Sequence, residues 1–387
     1  MLSFAIMGVH VEASTFIEAL ESELGVGAYF GVPDSLLRSF TDEVVERYGF
    51  GSQHVVAADE GGAAALAAGH YLATGESSVV YLQNSGIGNA VNPICSLLNE
   101  KVYAIPVLFV VGWRGEPGVH DEPQHIFQGA CSVELLESVG LSVDIISSDT
   151  DAESFGQILQ AISARFEEGK SAALLVRKGA LTRDSKHSFT HDGPMSRERA
   201  VEVASNELPD GCAIVSTTGK LSRELFEIRE RRGQSHESDF LTVGSMGHSS
   251  MIGLGIALAQ PERKVAVFDG DGACLMHSGA LDVLANRAPA NLVHVLFNNE
   301  AHESVGGMPT ASGTVDWPAV AHAFGYKSAC TVRTEEELAK AIRSSCEEGA
   351  GPAFVQVEID ASSRADLGRP TTSAYDNGKA FQEFLTR

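Results

Sequence analysis

Asp269-Gly270-Asp271-Gly272 and Asn298-Asn299 are the residues of this chain whose types and spacing best support chemistry. The apolar run Lys264 to Phe268 reads as a strand that breaks at Gly270-Asp271-Gly272 and continues as a helix. A second apolar run, Asn291 to Phe297, leads to the Asn pair. Asp271 and Asn299 lie about 28 residues apart, the length that a right-handed strand-helix-strand crossover between parallel neighbours consumes. Both side chains then sit at the carboxyl ends of adjacent strands. Two such oxygen ligands suit an octahedral Mg²⁺ that also holds phosphate oxygens. The flanking glycines allow tight turning and close approach of a diphosphate. The bland alternative is a solvent-facing acidic turn followed by an Asn-rich strand end.

Positioning these groups requires parallel strands, and the rest of the chain supplies the pattern for them. Ala28 to Val32, His54 to Ala57, Val79 to Leu82, Val107 to Val111, Ser142 to Ile145 and Ala172 to Val176 are apolar and strand-sized. Helical patterns such as Glu60 to Ala73 and Ala152 to Glu168 separate them. The stretch from Gly179 to Ser196 is polar and aperiodic, with Ser196 placed to cap a new helix. After it the alternation restarts. Cys212 to Ser216, Lys264 to Phe268, Leu292 to Phe297 and Ala353 to Val357 read as strands, and Leu221 to Arg232, Ser249 to Ala259, Glu335 to Glu347 and Asp376 to Leu385 as helices. Continuous apolar strands joined by amphipathic helices specify the α/β class, here two doubly wound parallel-sheet domains, 1–185 and 195–387, with no domain between them.

Composition narrows the partners. With 387 residues and a formal charge of −23, the chain suits two full cores and a small-molecule substrate. An anionic surface disfavours nucleic acid and anionic membranes. Cys95, Cys131, Cys212, Cys274, Cys330 and Cys346 contain no C-x-x-C pair, so neither zinc nor a disulfide framework is indicated and a reducing cytoplasm fits. The opening MLSFAIMGVHVEAS lacks the basic start of a signal peptide, and apolar runs such as Ala104 to Gly112 fall well short of the roughly 20 residues of a membrane span.

The G-D-G, helix, strand, N-N arrangement resembles the diphosphate-binding motif of thiamine diphosphate enzymes. That resemblance implies two domains, one binding the pyrimidine and one the diphosphate, and a metal set of Asp271, Asn299 and Ala301. It also implies cofactor contacts from Gly244, Gly270, Gly272, Ala273 and His302. A carboxyl group on the aminopyrimidine ring is needed to promote deprotonation of the thiazolium carbon. Glu60, in VVAADEGGAAALAAG, is the candidate. The small residues after it let a helix pack closely and confine the carboxyl in a largely apolar setting that raises its pKa. A glutamate at a helix start can also do no more than favour the helix dipole. In the resembling enzymes this glutamate and the metal motif come from different chains, so a homodimer or tetramer with active sites at subunit interfaces is expected. Met246 in VGSMGHSS is either the wedge that bends the cofactor or a core methionine. Thr217, Thr218 and Gly219 follow a strand and are placed to give hydroxyl and backbone donors to the diphosphate.

Further segments resemble the phosphonopyruvate decarboxylase family. They are YFGVPDSLLRSF, YLQNSGIGNAVNPICSL, VGWRGEPGVHDEPQHIFQG, STTGKLSRELFEIRE, DFLTVGSMGHSSMIGLGIAL and LGRPTTS, in order through both domains. Sulfopyruvate decarboxylase shares much of this pattern but is often split into two chains. The implied reaction is decarboxylation of 3-phosphonopyruvate to phosphonoacetaldehyde in phosphonate and antibiotic biosynthesis. Asp34, His125 and His302 compete as the proton donor; each has a plain alternative, as helix cap, core histidine and loop spacer respectively. Arg114 and Arg369 are candidates for the phosphonate, with Lys220 and Ser35 behind them. The chain departs from the family pattern at Glu300, where glycine is expected, and at Cys274 and Ser278. None of these is a proposed ligand.

Two other readings are weaker. A nicotinamide oxidoreductase would use SGIGNAV or GDGACL, but neither completes G-x-G-x-x-G with its acidic partner. A cofactor-less assembly protein has no use for Glu60, Asp271 and Asn299 together.

Overall fold

Most strands of this chain carry apolar side chains on both faces, and such strands are stable only in a parallel sheet covered on both sides. The computed structural model describes residues 11–387, so the opening residues, read above as no signal peptide, lie outside the described part. The chain forms two units, Met1–Ser188 and Phe189–Arg387.

The first unit contains β1 (Val11–Glu12), β2 (Val26–Gly31), β3 (His54–Val56), β4 (Ser77–Gln83), β5 (Val107–Gly112), β6 (Ser142–Ile146), β7 (Ala172–Val176) and β8 (Leu181–Thr182). Its helices are α1 (Ala13–Leu24), α2 (Arg38–Tyr48), α3 (Glu60–Thr74), α4 (Ile87–Pro93), α5 (Pro123–Ser138) and α6 (Ala152–Glu167). Six strands form a parallel sheet in the order β3-β2-β4-β5-β7-β6, and β1 pairs with β8 beside it. Alternation along each strand divides the core. Val79, Tyr81, Leu108 and Val110 join α1, α2 and α6 on one face. Val80, Leu82, Val107, Phe109 and Val111 join α3, α4 and α5 on the other.

The second unit contains β9 (Ala213–Ser216), β10 (Asp239–Leu241), β11 (Val265–Gly270), β12 (Leu292–Asn298), β13 (Ala301–His302), β14 (Met308–Pro309), β15 (Ser328–Val332) and β16 (Ala353–Glu358). Its helices are α7 (Arg197–Glu207), α8 (Lys220–Arg232), α9 (Ser249–Ala259), α10 (Asp271–Met276), α11 (Gly279–Arg287), α12 (Trp317–Phe324), α13 (Glu335–Ser345) and α14 (Ala374–Leu385). Its parallel sheet runs β10-β9-β11-β12-β16-β15. Ala266, Phe268, Val293, Val295 and Phe297 face one layer, and Val265, Val267, Leu292 and Leu296 the other. Ser196 caps α7 through its hydroxyl, as its position suggested.

Three details differ from the sequence reading. The helix after Gly272 is two helices, α10 and α11, interrupted at His277 and Ser278, because the His277 ring is drawn against His248 at 4.5 Å. The edge strands β10 and β15 escaped the pattern. Three residues cannot establish a period, and β15 is largely exposed. Finally, neither Gly270 nor Gly272 is among the residues with positive φ; these glycines provide space rather than an unusual turn.

Phe16 anchors the first core, fully buried, stacked on Phe155 at 5.4 Å and edge-on to Phe40 at 5.8 Å. Phe16→Ala is expected to lower stability by about 3–5 kcal/mol, read from the denaturant midpoint; a loss below about 1 kcal/mol would show that the surrounding helices collapse into the space.

Candidate active site

The two sheets have the same winding. In each, the second strand in chain order lies on one side of the first and the third strand on the other, so successive connections part above the first and third strands. A crevice opens there at the carboxyl ends, the usual ligand position in open α/β sheets. The first and third strands are β2 and β4 in one unit, β9 and β11 in the other.

At the second crevice β11 delivers Asp271 and the neighbouring β12 delivers Asn299. The two meet. Asp271 is buried, and burial raises its carboxyl to about 7, offset in part by the Thr310 hydroxyl at 2.5 Å and by backbone N–H groups of Gly272, Asp271 itself and Asn299. Asn299 Oδ1 accepts the Ala301 N–H at 3.1 Å. β13 and β14 form a short antiparallel turn that returns Thr310 to Asp271 and lays the His302 ring over Gly272. Burial pushes His302 down to about 4. Glu300 has φ +56, so the position where glycine was expected does take the left-handed conformation glycine favours. Behind Asp271, Asp269 accepts the Gly270 N–H at 3.0 Å and lies 3.2 Å from His294, whose other nitrogen lies 3.2 Å from the Tyr326 hydroxyl.

Other predicted residues flank this centre. Thr217 precedes Thr218 and Gly219 at the start of α8, and a Cβ on Gly270 would meet the Thr217 methyl at 3.9 Å. The Thr217 N–H is already given to Phe268 O at 2.7 Å and its carbonyl accepts from Ser222, so only its hydroxyl remains to offer. The Gly244 to Met246 loop is seated on α10, where Gly247 abuts His277 and the Ala273 carbonyl. Lys220 is not left for an anion alone: its ammonium donates to Glu303 and Ser363, each at 2.7 Å. Arg369 lies in an exposed segment that the Gly368 N–H ties to Glu227 of α8 at 2.6 Å.

At the first crevice Glu60 opens α3, with Asp59 capping the helix through the Gly62 N–H at 2.9 Å. Its carboxyl is buried and pushed above the usual range by desolvation, against a hydrogen bond from Asn89 Nδ2 at 2.7 Å. Gly86, in the turn after β4, makes room for it. A Cβ there would lie 2.1 Å from Glu60 Oε1.

The same strand ends gather the remaining candidates of this unit. Asp34 is wholly buried and raised by desolvation, accepting hydrogen bonds from Gln83 Nε2 at 2.7 Å and the Leu36 N–H at 3.0 Å. Arg114, after β5, donates to Ser35 Oγ at 3.3 Å and to both oxygens of Asp121. His125 is half-buried in α5, lowered by burial and then by Arg114, and its Nδ1 has no hydrogen-bond partner. Asp34, Ser35 and Arg114 are therefore adjacent, while Arg369 belongs to the other unit. Sequence reasoning passed over Gln83, Asn84, Asn89, Asp121 and Thr310. Their motifs were visible, but each role depends on a neighbour from another strand end.

Comparison with known proteins bears on both crevices. Residues 12–136 match the thiamine pyrophosphate enzyme N-terminal TPP binding domain, and residues 217–357 the C-terminal TPP binding domain. Over 97% of its length the chain is 35% identical to a phosphonopyruvate decarboxylase of Streptomyces hygroscopicus, covering 94% of that protein. The chain belongs to the phosphonopyruvate decarboxylase family. A second relative of that name, from Streptomyces viridochromogenes, is 35% identical over 94% of this chain and 92% of its own. A sulfopyruvate decarboxylase of Methanosarcina acetivorans is 30% identical over 72% of this chain and 74% of its own. This family member is a carboxy-lyase of the 2-oxo acid type and uses thiamine diphosphate.

The residues present fit that cofactor. A buried carboxyl at Glu60 is packed closely against Gly86, and Asp271 and Asn299 bring side-chain oxygens together beside Gly270 and Gly272. No helix among the described residues is long and apolar enough to cross a membrane.

Glu60 makes a pH-dependent prediction. Its folded pKa lies above its unfolded one, so the folded state binds more protons and loses stability as pH rises through that interval. In the protein without cofactor, Glu60→Gln is expected to match wild type in Tm near pH 4 and to exceed it increasingly toward pH 8. A difference independent of pH would show that the carboxyl is not desolvated.

Proposed function

We propose that this enzyme decarboxylates 3-phosphonopyruvate to phosphonoacetaldehyde with thiamine diphosphate and Mg²⁺, in the cytoplasm, as a step of phosphonate biosynthesis. The observation that carries the substrate is Arg114 set beside Ser35 and the buried Asp34 on an otherwise acidic protein. A guanidinium can meet two oxygens of a phosphonate at once. The similarity to two phosphonopyruvate decarboxylases along nearly the whole chain supports the same choice over sulfopyruvate.

Bound thiamine diphosphate supplies an electron sink for the carbanion left when carbon dioxide departs. The remaining tasks fall to the chain. Asp271, Asn299 and Ala301 would hold Mg²⁺, with Thr217, Thr218, Gly219, Gly270, Gly272, Ala273 and His302 around the diphosphate. Hard oxygen ligands favour Mg²⁺ over a soft metal. Gly244 and Met246 would shape the cofactor's resting place. Glu60, whose carboxyl is raised by burial, can donate a hydrogen bond to a ring nitrogen when it is protonated. Asp34 is raised by burial as well and is the first choice to deliver a proton to product, ahead of His125 and His302. Arg114 with Ser35 would bind the phosphonate; Arg369 and Lys220 stand as the cations of the second unit.

The substrate is tested by measuring decarboxylation of phosphonopyruvate, sulfopyruvate and pyruvate side by side with thiamine diphosphate and Mg²⁺. The expected order places phosphonopyruvate first by kcat/KM, and equal rates on pyruvate would overturn the assignment.

The proposed assembly is a homodimer or tetramer in which Glu60 of one subunit serves the metal site of another. Glu60→Gln alone should bind cofactor without turnover, and Asp271→Ala should lose cofactor affinity. Mixing the two inactive variants under exchange conditions is expected to restore about a quarter of wild-type activity, since a mixed symmetric dimer carries one intact site. No recovery on demonstrated exchange would place both groups within one chain's site.

A further inference from the structure

The loop from Arg114 to Glu122 contains a carboxylate, Asp121, that the proposed chemistry does not use. Asp121 Oδ2 accepts from Arg114 Nε at 2.8 Å and from the Gly115 N–H at 2.8 Å, while Oδ1 accepts from Arg114 Nη2 at 2.5 Å and the Glu122 N–H at 2.7 Å. All four bonds lock one edge of the guanidinium to the loop's own backbone. The backbone of Arg114 is held independently by Asn84, whose Oδ1 takes its N–H at 3.2 Å and whose Nδ2 donates to its carbonyl at 2.8 Å. Gly115 and Gly129 let this loop lie directly on α5; a Cβ on either would come within 2 Å of the opposing backbone.

A guanidinium has five N–H donors arranged in forks. Asp121 takes the Nε and one Nη2 hydrogen, and Ser35 takes one from Nη1. One hydrogen on Nη1 and one on Nη2 are not spent on these contacts and can serve as a fork toward a ligand. The Arg114 and Asp121 side chains are 20% and 14% exposed, whereas Asp34, on which the Arg114 charge acts, is buried. The orientation of that fork is set by Asp121.

We propose that Asp121 is a positioning residue for substrate selectivity: by clamping one edge of Arg114 it aims the other at a tetrahedral anion on C3 of a 2-oxo acid and so favours such substrates over pyruvate. This rests on the reading of Arg114 as the group that meets the phosphonate. Asparagine at 121 would turn an amide N–H₂ toward donors that need acceptors, releasing the guanidinium without removing its charge.

The test measures KM and kcat for phosphonopyruvate and pyruvate in wild type, Asp121→Asn, Asp121→Glu and Arg114→Ala. In Asp121→Asn, KM for phosphonopyruvate should rise about tenfold with kcat within about twofold, and KM for pyruvate should stay unchanged, the signature of lost uniform binding to one part of the substrate. Asp121→Glu, which keeps the carboxylate, should fall between Asp121→Asn and wild type. Unchanged KM for phosphonopyruvate in Asp121→Asn, or equal impairment on both substrates in both Asp121 variants, overturns the clamp. Arg114→Ala separates the two ideas. If it leaves KM for phosphonopyruvate intact, the reading of Arg114 fails; if it raises KM while Asp121→Asn does not, only the clamp fails.

Discussion

Desolvation of carboxyl groups without a cation bonded to them is the constraint on which this structure turns. Asp34, Glu60 and Asp271 are all buried at strand ends, and the hydrogen bonds they accept come from neutral donors: Gln83 and Leu36, Asn89, and Thr310. Removing an ionised carboxylate from water costs several kcal/mol unless it is paired, so each of these groups is driven toward its protonated form. Elsewhere buried acids are bonded to cations, although burial still raises the carboxyl of Glu224. Asp239 is bonded twice by Arg229, and Glu224 twice by Arg197.

Sustaining three such acids requires a scaffold with stability to spare, and the two parallel sheets provide it. Their central strands are buried along most of their length, each feeding alternate side chains to the helical layers on either face. Both sheets share one strand order, so their crevices open at equivalent places. Different side chains stand there: a buried carboxyl packed against Gly86 in one, and Asp271 with Asn299 in the other. Fold follows from the repeated architecture, whereas function must be argued from what stands at the strand ends.

Much of this was legible in the chain. Apolar runs marked the strands of the first sheet and the central strands of the second, most plainly where a strand is buried on both faces, as β5 and β7 are. The short β10 and the exposed β15 gave no such signal. The pairing of Asp271 with Asn299 was readable because they sit at the ends of consecutive strands that are also neighbours. The single helix expected between them was too simple: His277 is drawn toward His248, a contact the local pattern cannot announce.

By itself the sequence determined the secondary elements, the parallel class, the burial of Glu60 at a helix start and the metal-type spacing, since these depend on local periodicity and on adjacent strands. Only tertiary structure decided the partners of the site residues. Asn89 reaches Glu60 across 29 positions, Thr310 reaches Asp271 across 39, Gln83 reaches Asp34 across 49 and Arg114 reaches Ser35 across 79. Those meetings are set by the order of strands in the sheet. A strand may neighbour one from far along the chain, and no spacing rule in the sequence encodes which.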